Sequence, residues 1–159
     1  MKLLTFILLA IIITGCQPEL DDNTQLNTTK SGAQEEEPDD KSKILLDQDL
    51  YNSSQSYDYR LDSAWIKADQ LKLQVSYTGC EPGVDNWLIS DGAYMESYPV
   101  QLRAKFVLDD PGDCDMAITE ILSFDLSPLT EDYQKAYQQE KATIILQIKD
   151  YAESVKYDI

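Results

Sequence analysis

The chain has no histidine and few basic residues. Its 159 residues include 13 Lys and Arg against 29 Asp and Glu, so the formal net charge is −16. Without imidazole groups it cannot form a Ser-His-Asp triad, a Cys-His pair or a His-ligated zinc site. Because phosphate groups repel so acidic a chain, we also predict that it binds no nucleic acid.

Several motifs of enzymes are missing as well. The sequence has no Gly-x-Ser-x-Gly, no phosphate-binding glycine loop, no Ser-x-x-Lys and no metal-binding pair of cysteines. Catalysis would have to use carboxylates, and Glu96 and Glu120 are the candidates for a general acid and base. Glu120 lies on an otherwise apolar strand face, a position that is also typical of a bulge or a sheet edge. We therefore predict a protein that is not an enzyme. A carboxylate-based hydrolase ranks third, after the two binding roles given at the end of this subsection.

The chain opens with Lys2 and then an apolar stretch from Leu3 to Ile13. As a helix, this stretch is too short for the ~30 Å hydrocarbon core of a membrane, but it has the length of a signal-peptide hydrophobic region. It leads into Ile13-Thr14-Gly15-Cys16, which resembles the lipobox of bacterial lipoproteins. A plain secretory signal or an uncleaved anchor is the alternative.

The resemblance to a lipobox implies three processing steps. The thiol of Cys16 would carry diacylglycerol through a thioether, residues 1–15 would be removed as a signal peptide, and the new amino terminus would usually be acylated, for example with palmitate. Each buried CH₂ group is worth about 0.8 kcal/mol, so two or three acyl chains would hold the protein in the membrane.

Residues 16–43 are polar and acidic, with few apolar side chains. Such a segment cannot bury enough apolar area to offset its chain entropy, so we predict a lipidated, disordered tether that spans roughly 30 Å. Its first part, Gln17 to Asp22, is similar to the acidic export signal of Bacteroidota surface lipoproteins. This resemblance implies an outer-membrane protein at the cell surface, and a periplasm-facing location is the alternative.

From Ile44 onward, apolar and polar residues alternate with period two, which is typical of half-buried strands. We predict that residues 44–159 form one all-β domain, an antiparallel Ig-like β-sandwich of about seven strands. Ser127-Pro128 predicts the start of one short crossover helix, with Ser127 as its cap. The parity of the first strand places Trp65 in the core with Leu61. The candidate strands are 57–65, 71–77, 87–89, 100–108, 118–126, 142–148 and 155–159.

Two stretches, Leu71 to Cys80 and Phe124 to Leu129, are similar to domains of Bacteroidota lipoproteins that have no assigned function. In those domains a strand ends in Gly-Gly-Cys and a histidine follows. Here Thr78 replaces the first glycine and the histidine is absent. The resemblance therefore implies that any histidine-dependent activity of that group is missing from this chain.

The three cysteines predict one disulfide bond. If Cys16 carries lipid, Cys80 and Cys114 remain, and an even remainder in an oxidising envelope is usually paired. Two buried free thiols are the alternative. A bond between them would bring Glu81 and Asp85, and with them Asp91, towards the acidic loop around Cys114.

Two weaker ligand sites are indicated. Calcium prefers oxygen ligands from loops, and one loop has four carboxylates that are its candidate ligands, although a solvated turn is the favoured interpretation of them. They are Asp109, Asp110, Asp113 and Asp115. A glycan platform would need exposed aromatic rings, and the rings that come into question are Trp65, Trp87, Tyr94 and Tyr98. Trp87 is the candidate, because it is the one we expect to be partly exposed.

These observations predict a lipid-anchored cell-envelope protein that acts as a non-enzymatic interaction or accessory module. Its partners would be the membrane, through Cys16, and an envelope protein or glycan. The alternative is a surface lipoprotein that binds a glycan or small ligand, with calcium as the one cofactor to consider.

Overall fold

The computed structural model describes residues 42–159. This part of the chain contains eight strands and two helices. In chain order the elements are β1 (Ile44–Leu46), α1 (Gln48–Ser53), β2 (Tyr59–Lys67), β3 (Gln70–Gly79), β4 (Asn86–Ser90), β5 (Val100–Leu108), β6 (Met116–Asp125), α2 (Ser127–Tyr137), β7 (Thr143–Ile148) and β8 (Ser154–Asp158). The predicted signal peptide, the lipidation site Cys16 and nearly all of the tether lie outside the described residues.

The strands form two sheets. One has five strands in the order β1-β4-β5-β7-β8, and the other has three in the order β2-β3-β6. Their inward residues belong to a single buried cluster, in which Leu73 and Phe124 of the smaller sheet join Phe106 and Leu146 of the larger one. The prediction of a mostly-β domain is confirmed.

The larger sheet is mixed. β1 pairs with β4 and β5 pairs with β7 in parallel, whereas β4–β5 and β7–β8 are antiparallel. The predicted wholly antiparallel arrangement is therefore wrong for this sheet. Alternation has the same period in both kinds of pairing, so it carries no information on strand direction.

Two short elements at the start of the domain, β1 and α1, are not among the predicted strands and helix. β1 is only three residues long, and α1 follows it with Asp47 as its cap, whose side chain accepts a 2.8 Å hydrogen bond from the amide of Leu50. Lys43, which we placed in the tether, forms an isolated bridge with Asp125. Lys43 is therefore in contact with the folded domain.

A β-bulge in β2 overturns the predicted position of Trp65. The register between β2 and β3 shifts between Leu61 and Ser63, so side chains after the bulge change faces. Ala64 and Ile66 then turn towards the core, and Trp65 lies on the outer face with 39% of its surface exposed.

Helix α2 is at the predicted place and connects the smaller sheet to the larger one. Pro128 lies in the first turn of the helix as predicted. The side chain of Ser127, however, does not cap the helix amides. Instead, the carboxylate of Asp125 accepts hydrogen bonds from the amide (2.9 Å) and the hydroxyl (2.8 Å) of Ser127. Leu129 and Tyr133 are the buried residues of the helix. Neither helix of the described range is long and apolar enough to cross a membrane.

Candidate functional site

Cys80 and Cys114 form the predicted disulfide, with their Cα atoms 4.8 Å apart. The bond fastens the loop before β6 to the end of β3. The amide of Cys80 also donates a 2.8 Å hydrogen bond to the carbonyl of Pro111. The approach is so close that a Cβ atom on Gly79 would lie 2.7 Å from the Cβ of Pro111, which explains a glycine at the end of this strand.

The four acidic residues of this loop are all exposed. Asp110 accepts a 2.8 Å hydrogen bond from the amide of Gly112, as in a turn. Its negative charge raises the pKa of the nearby Tyr57 phenol. In residues 42–159, no group of three or more acidic, Cys or His side chains is placed to hold a metal ion. The calcium hypothesis for Asp109, Asp110, Asp113 and Asp115 therefore has no ligand cluster to support it.

The remaining candidates lie on four different elements. Trp87 is half-buried in β4, opposite Val107, whereas Trp65 lies on the outer face of the other sheet. Glu96 is exposed in the loop before β5. Glu120 is half-buried in β6, and both of its carboxylate oxygens accept hydrogen bonds from other parts of the domain.

Three tyrosines pack together where α2 meets the loop before β5. Tyr133 and Tyr137, one helical turn apart, are stacked with ring centroids 4.6 Å apart. Tyr94 contacts both rings edge-on, at 5.4 and 5.6 Å. The phenol of Tyr94 donates a 3.1 Å hydrogen bond to Asp132, and burial, followed by this carboxylate, raises its pKa. The cluster therefore holds Tyr137 in place while 40% of that side chain stays exposed.

A groove of about 670 Å³, here called the tyrosine groove, runs beside this cluster. Tyr98, whose side chain is fully exposed, lies at it, next to the cis peptide bond that joins Tyr98 to Pro99. The groove is large enough for a small polar ligand or a short peptide. Its aromatic and polar lining includes Tyr98, Tyr133, Tyr137, Gln139, Lys141, Thr143 and Asp158.

The sequence predicts the tyrosine groove only in part. Tyr98 is one of the rings considered for a glycan platform, and it is exposed. Tyr94 belongs to the packed cluster instead. Of the two tyrosines of α2, Tyr133 is buried and Tyr137 is exposed. Their four-residue spacing on a helix is the signal that would have indicated a stacked aromatic pair.

No family model matches the chain, and no curated protein matches it. Among solved structures, it is similar to the crystal structure of a protein of unknown function, DUF1344, from Bacteroides vulgatus ATCC 8482. The TM-score is 0.41 and the identity 15%, over 73% of this chain and 54% of that one. The chain thus spans about half the length of that protein. A likeness of this size supports neither a family assignment nor a function.

Proposed function

We propose that the chain is a lipid-anchored cell-envelope protein whose folded domain is a non-enzymatic interaction module. The lipobox-like residues up to Cys16 support the anchor, and the acidic residues after it support display at the cell surface. The domain would work as Ig-like β-sandwiches do, as a rigid carrier for a binding surface.

The tyrosine groove is the observation that supports a binding role. Tyrosine offers a large, rigid contact area with a polar end, so its binding costs little side-chain entropy. Aromatic residues are accordingly enriched where proteins meet their partners. Tyr137 is already fixed by stacking on Tyr133, which lowers the entropy cost of using it as a contact.

A glycan is the second candidate partner, and the exposed ring of Tyr98 favours it. A flat aromatic face gives an apolar surface for a sugar ring, and Gln139 and Thr143 in the same groove offer hydrogen-bonding groups. The geometry favours these residues over Trp87, which is half-buried.

The anchor is tested by labelling cells with palmitate. Cys16→Ala should abolish incorporation of the label and leave an unprocessed precursor, whereas Cys114→Ala, which removes a different cysteine, should keep the label. Label that persists in Cys16→Ala would contradict the lipoprotein assignment.

The binding role is tested with the intact lipoprotein in its own envelope. A photocrosslinking residue at position 98 should give a discrete adduct, and the same residue at the exposed position 121, which lines neither this groove nor any other described one, should not. Tyr137→Ala should reduce the adduct at position 98. Equal crosslinking from both positions would contradict a specific site. A glycan array with the same variants then separates a sugar from a protein partner.

A further inference from the structure

A second groove, of about 590 Å³, lies on a different part of the domain. Its walls are the segment that follows α1, the middle of β5 and the turn that follows β7. We call it the lysine groove, because Lys105 and Lys149 both line it. It shares no lining residue with the tyrosine groove.

Lys105 is the unusual residue of this groove. Only 8% of its surface is exposed, on the side of β5 that faces away from the core cluster. Its ammonium donates a 2.9 Å hydrogen bond to the carbonyl of Ser54 and lies 5.2 Å from the ring centroid of Tyr51. Among residues 42–159, no carboxylate forms an ion pair with it.

An unpaired buried ammonium is costly, because its charge has lost water without gaining an opposite charge. The cost is conspicuous in a chain with 29 acidic residues, where a carboxylate partner is easily supplied. Lys149 adds a second positive charge nearby. Burial and then this neighbour lower the pKa of Lys105. Both effects would be relieved by an anion in the groove.

The geometry leaves a donor for such an anion. An ammonium has three N–H groups, and the carbonyl of Ser54 takes one of them while the Tyr51 ring faces another side. Asp58 and Asp150 also line the groove, and neither is ion-paired with a lysine in the described residues. They would repel a ligand that is anionic over its whole surface and accept hydrogen bonds from hydroxyl groups.

We propose that the lysine groove binds a small polar molecule through one carboxylate or phosphate group. Lys105 supplies the buried positive charge and Lys149 an exposed one, and Asp58 and Asp150 accept hydrogen bonds from the hydroxyl groups of the ligand. This binding is independent of the lipid anchor and of the tyrosine groove.

The test is calorimetric titration of the purified full chain with inorganic phosphate, with D-glucuronate and with neutral D-glucose. The two anions distinguish a phosphate from a carboxylate ligand. We expect one of them to bind and D-glucose to bind much more weakly. Lys105→Met should weaken anion binding about tenfold or more, as expected for the loss of a charged hydrogen bond. Lys149→Met should have a smaller effect, and Lys156→Met, at an exposed lysine outside the groove, none.

Thermal unfolding shows whether a variant that has lost binding is still folded. Lys105→Met should melt no lower than the wild type, because it removes an unpaired buried charge, and the anion should raise the melting temperature of the wild type but not of this variant. If Lys105→Met does not fold, two other variants test the proposal. Lys105→Arg keeps the charge and should still bind the anion, and Lys149→Met should bind it more weakly. Absence of binding by both anions, equal binding of D-glucose, or unchanged affinity in Lys105→Met would overturn the proposal.

Discussion

The phenol of Tyr77 donates a 2.6 Å hydrogen bond to Oε1 of Glu120, and Oε2 of the same carboxylate accepts a 3.2 Å bond from the amide of Gly83. One side chain thereby joins β3, β6 and the turn that follows Cys80. Burial, followed by the hydrogen bond to Glu120, raises the pKa of Tyr77 to about 12. In this arrangement Glu120 acts as a structural acceptor with both oxygens engaged.

Glu120→Gln should therefore destabilise the domain by about 1–2 kcal/mol, because hydrogen bonds to a charged group are replaced by weaker ones. Urea unfolding measures the change. Tyr77→Phe removes the donor of the same bond, so the double variant should lose less than the sum of the single losses. Strictly additive losses would mean that the two side chains do not interact in solution.

The disulfide should be a major source of stability. It joins residues 34 positions apart, and the chain-entropy treatment assigns about 3–4 kcal/mol to a loop of this size. A double variant with Ala at positions 80 and 114 should lose this amount in urea unfolding. Dithiothreitol should lower the wild-type midpoint to a similar value and leave the double variant unchanged. Wild-type protein that is insensitive to reduction and has both thiols open to alkylation would contradict the bond.

Alkaline pH should destabilise the domain. Burial is the main cause that raises the pKa of Tyr59, Tyr77 and Tyr157 to about 12 in the folded state. The fold thus holds these protons more tightly than the unfolded chain, with its ordinary value near 10. The resulting stability is fully present below about pH 10 and is lost as the pH rises to about 12.

Melting curves between pH 8 and 12 measure this dependence. Tyr59→Phe should flatten the decline, whereas Tyr98→Phe, at a fully exposed ring, serves as the matched control. Lys105 works in the opposite direction, since its pKa is lowered by burial, so Lys105→Met should steepen the decline. A wild-type melting temperature that does not change up to pH 12 would contradict the raised pKa values of the buried tyrosines.

The bulge in β2 makes a further prediction. Trp65→Ala should cost much less than Leu73→Ala, although tryptophan is the larger residue, because Leu73 is fully buried and Trp65 is on the outer face. A buried leucine replaced by alanine typically loses about 2–5 kcal/mol. Chemical unfolding of the two variants measures the difference. A larger loss for Trp65→Ala would show that the parity without a bulge is correct.

The disulfide and most strands could be predicted because each depends on a count or on a local period. Cys80 and Cys114 were the pair left after Cys16, and the alternation in β3 and β5 continues without a break. Trp65 could not be placed, since a single inserted residue reverses parity and leaves no mark in composition.

The two grooves were beyond the sequence for another reason. Each combines residues that are far apart along the chain, as with Ser54 and Lys105, or Tyr98 and Tyr137. Alternation reports which face of a strand is buried. It does not report which turn lies over that face. From the alternation alone, Lys105 is therefore expected to be a solvent-exposed lysine, and only the position of α1 and the residues after it shows that it is covered.

The parallel pairing of β5 with β7 sets an order of events during folding. The chain between them contains β6, which belongs to the other sheet, and α2, which returns to the first one. The two central strands of the larger sheet, β5 and β7, therefore pair across a long stretch of intervening chain. Topologies with such distant pairings fold slowly, in the range of milliseconds to seconds. Until β7 is in place, one edge of β5 has no hydrogen-bonded neighbour, and an unpaired strand edge of this kind is prone to aggregation.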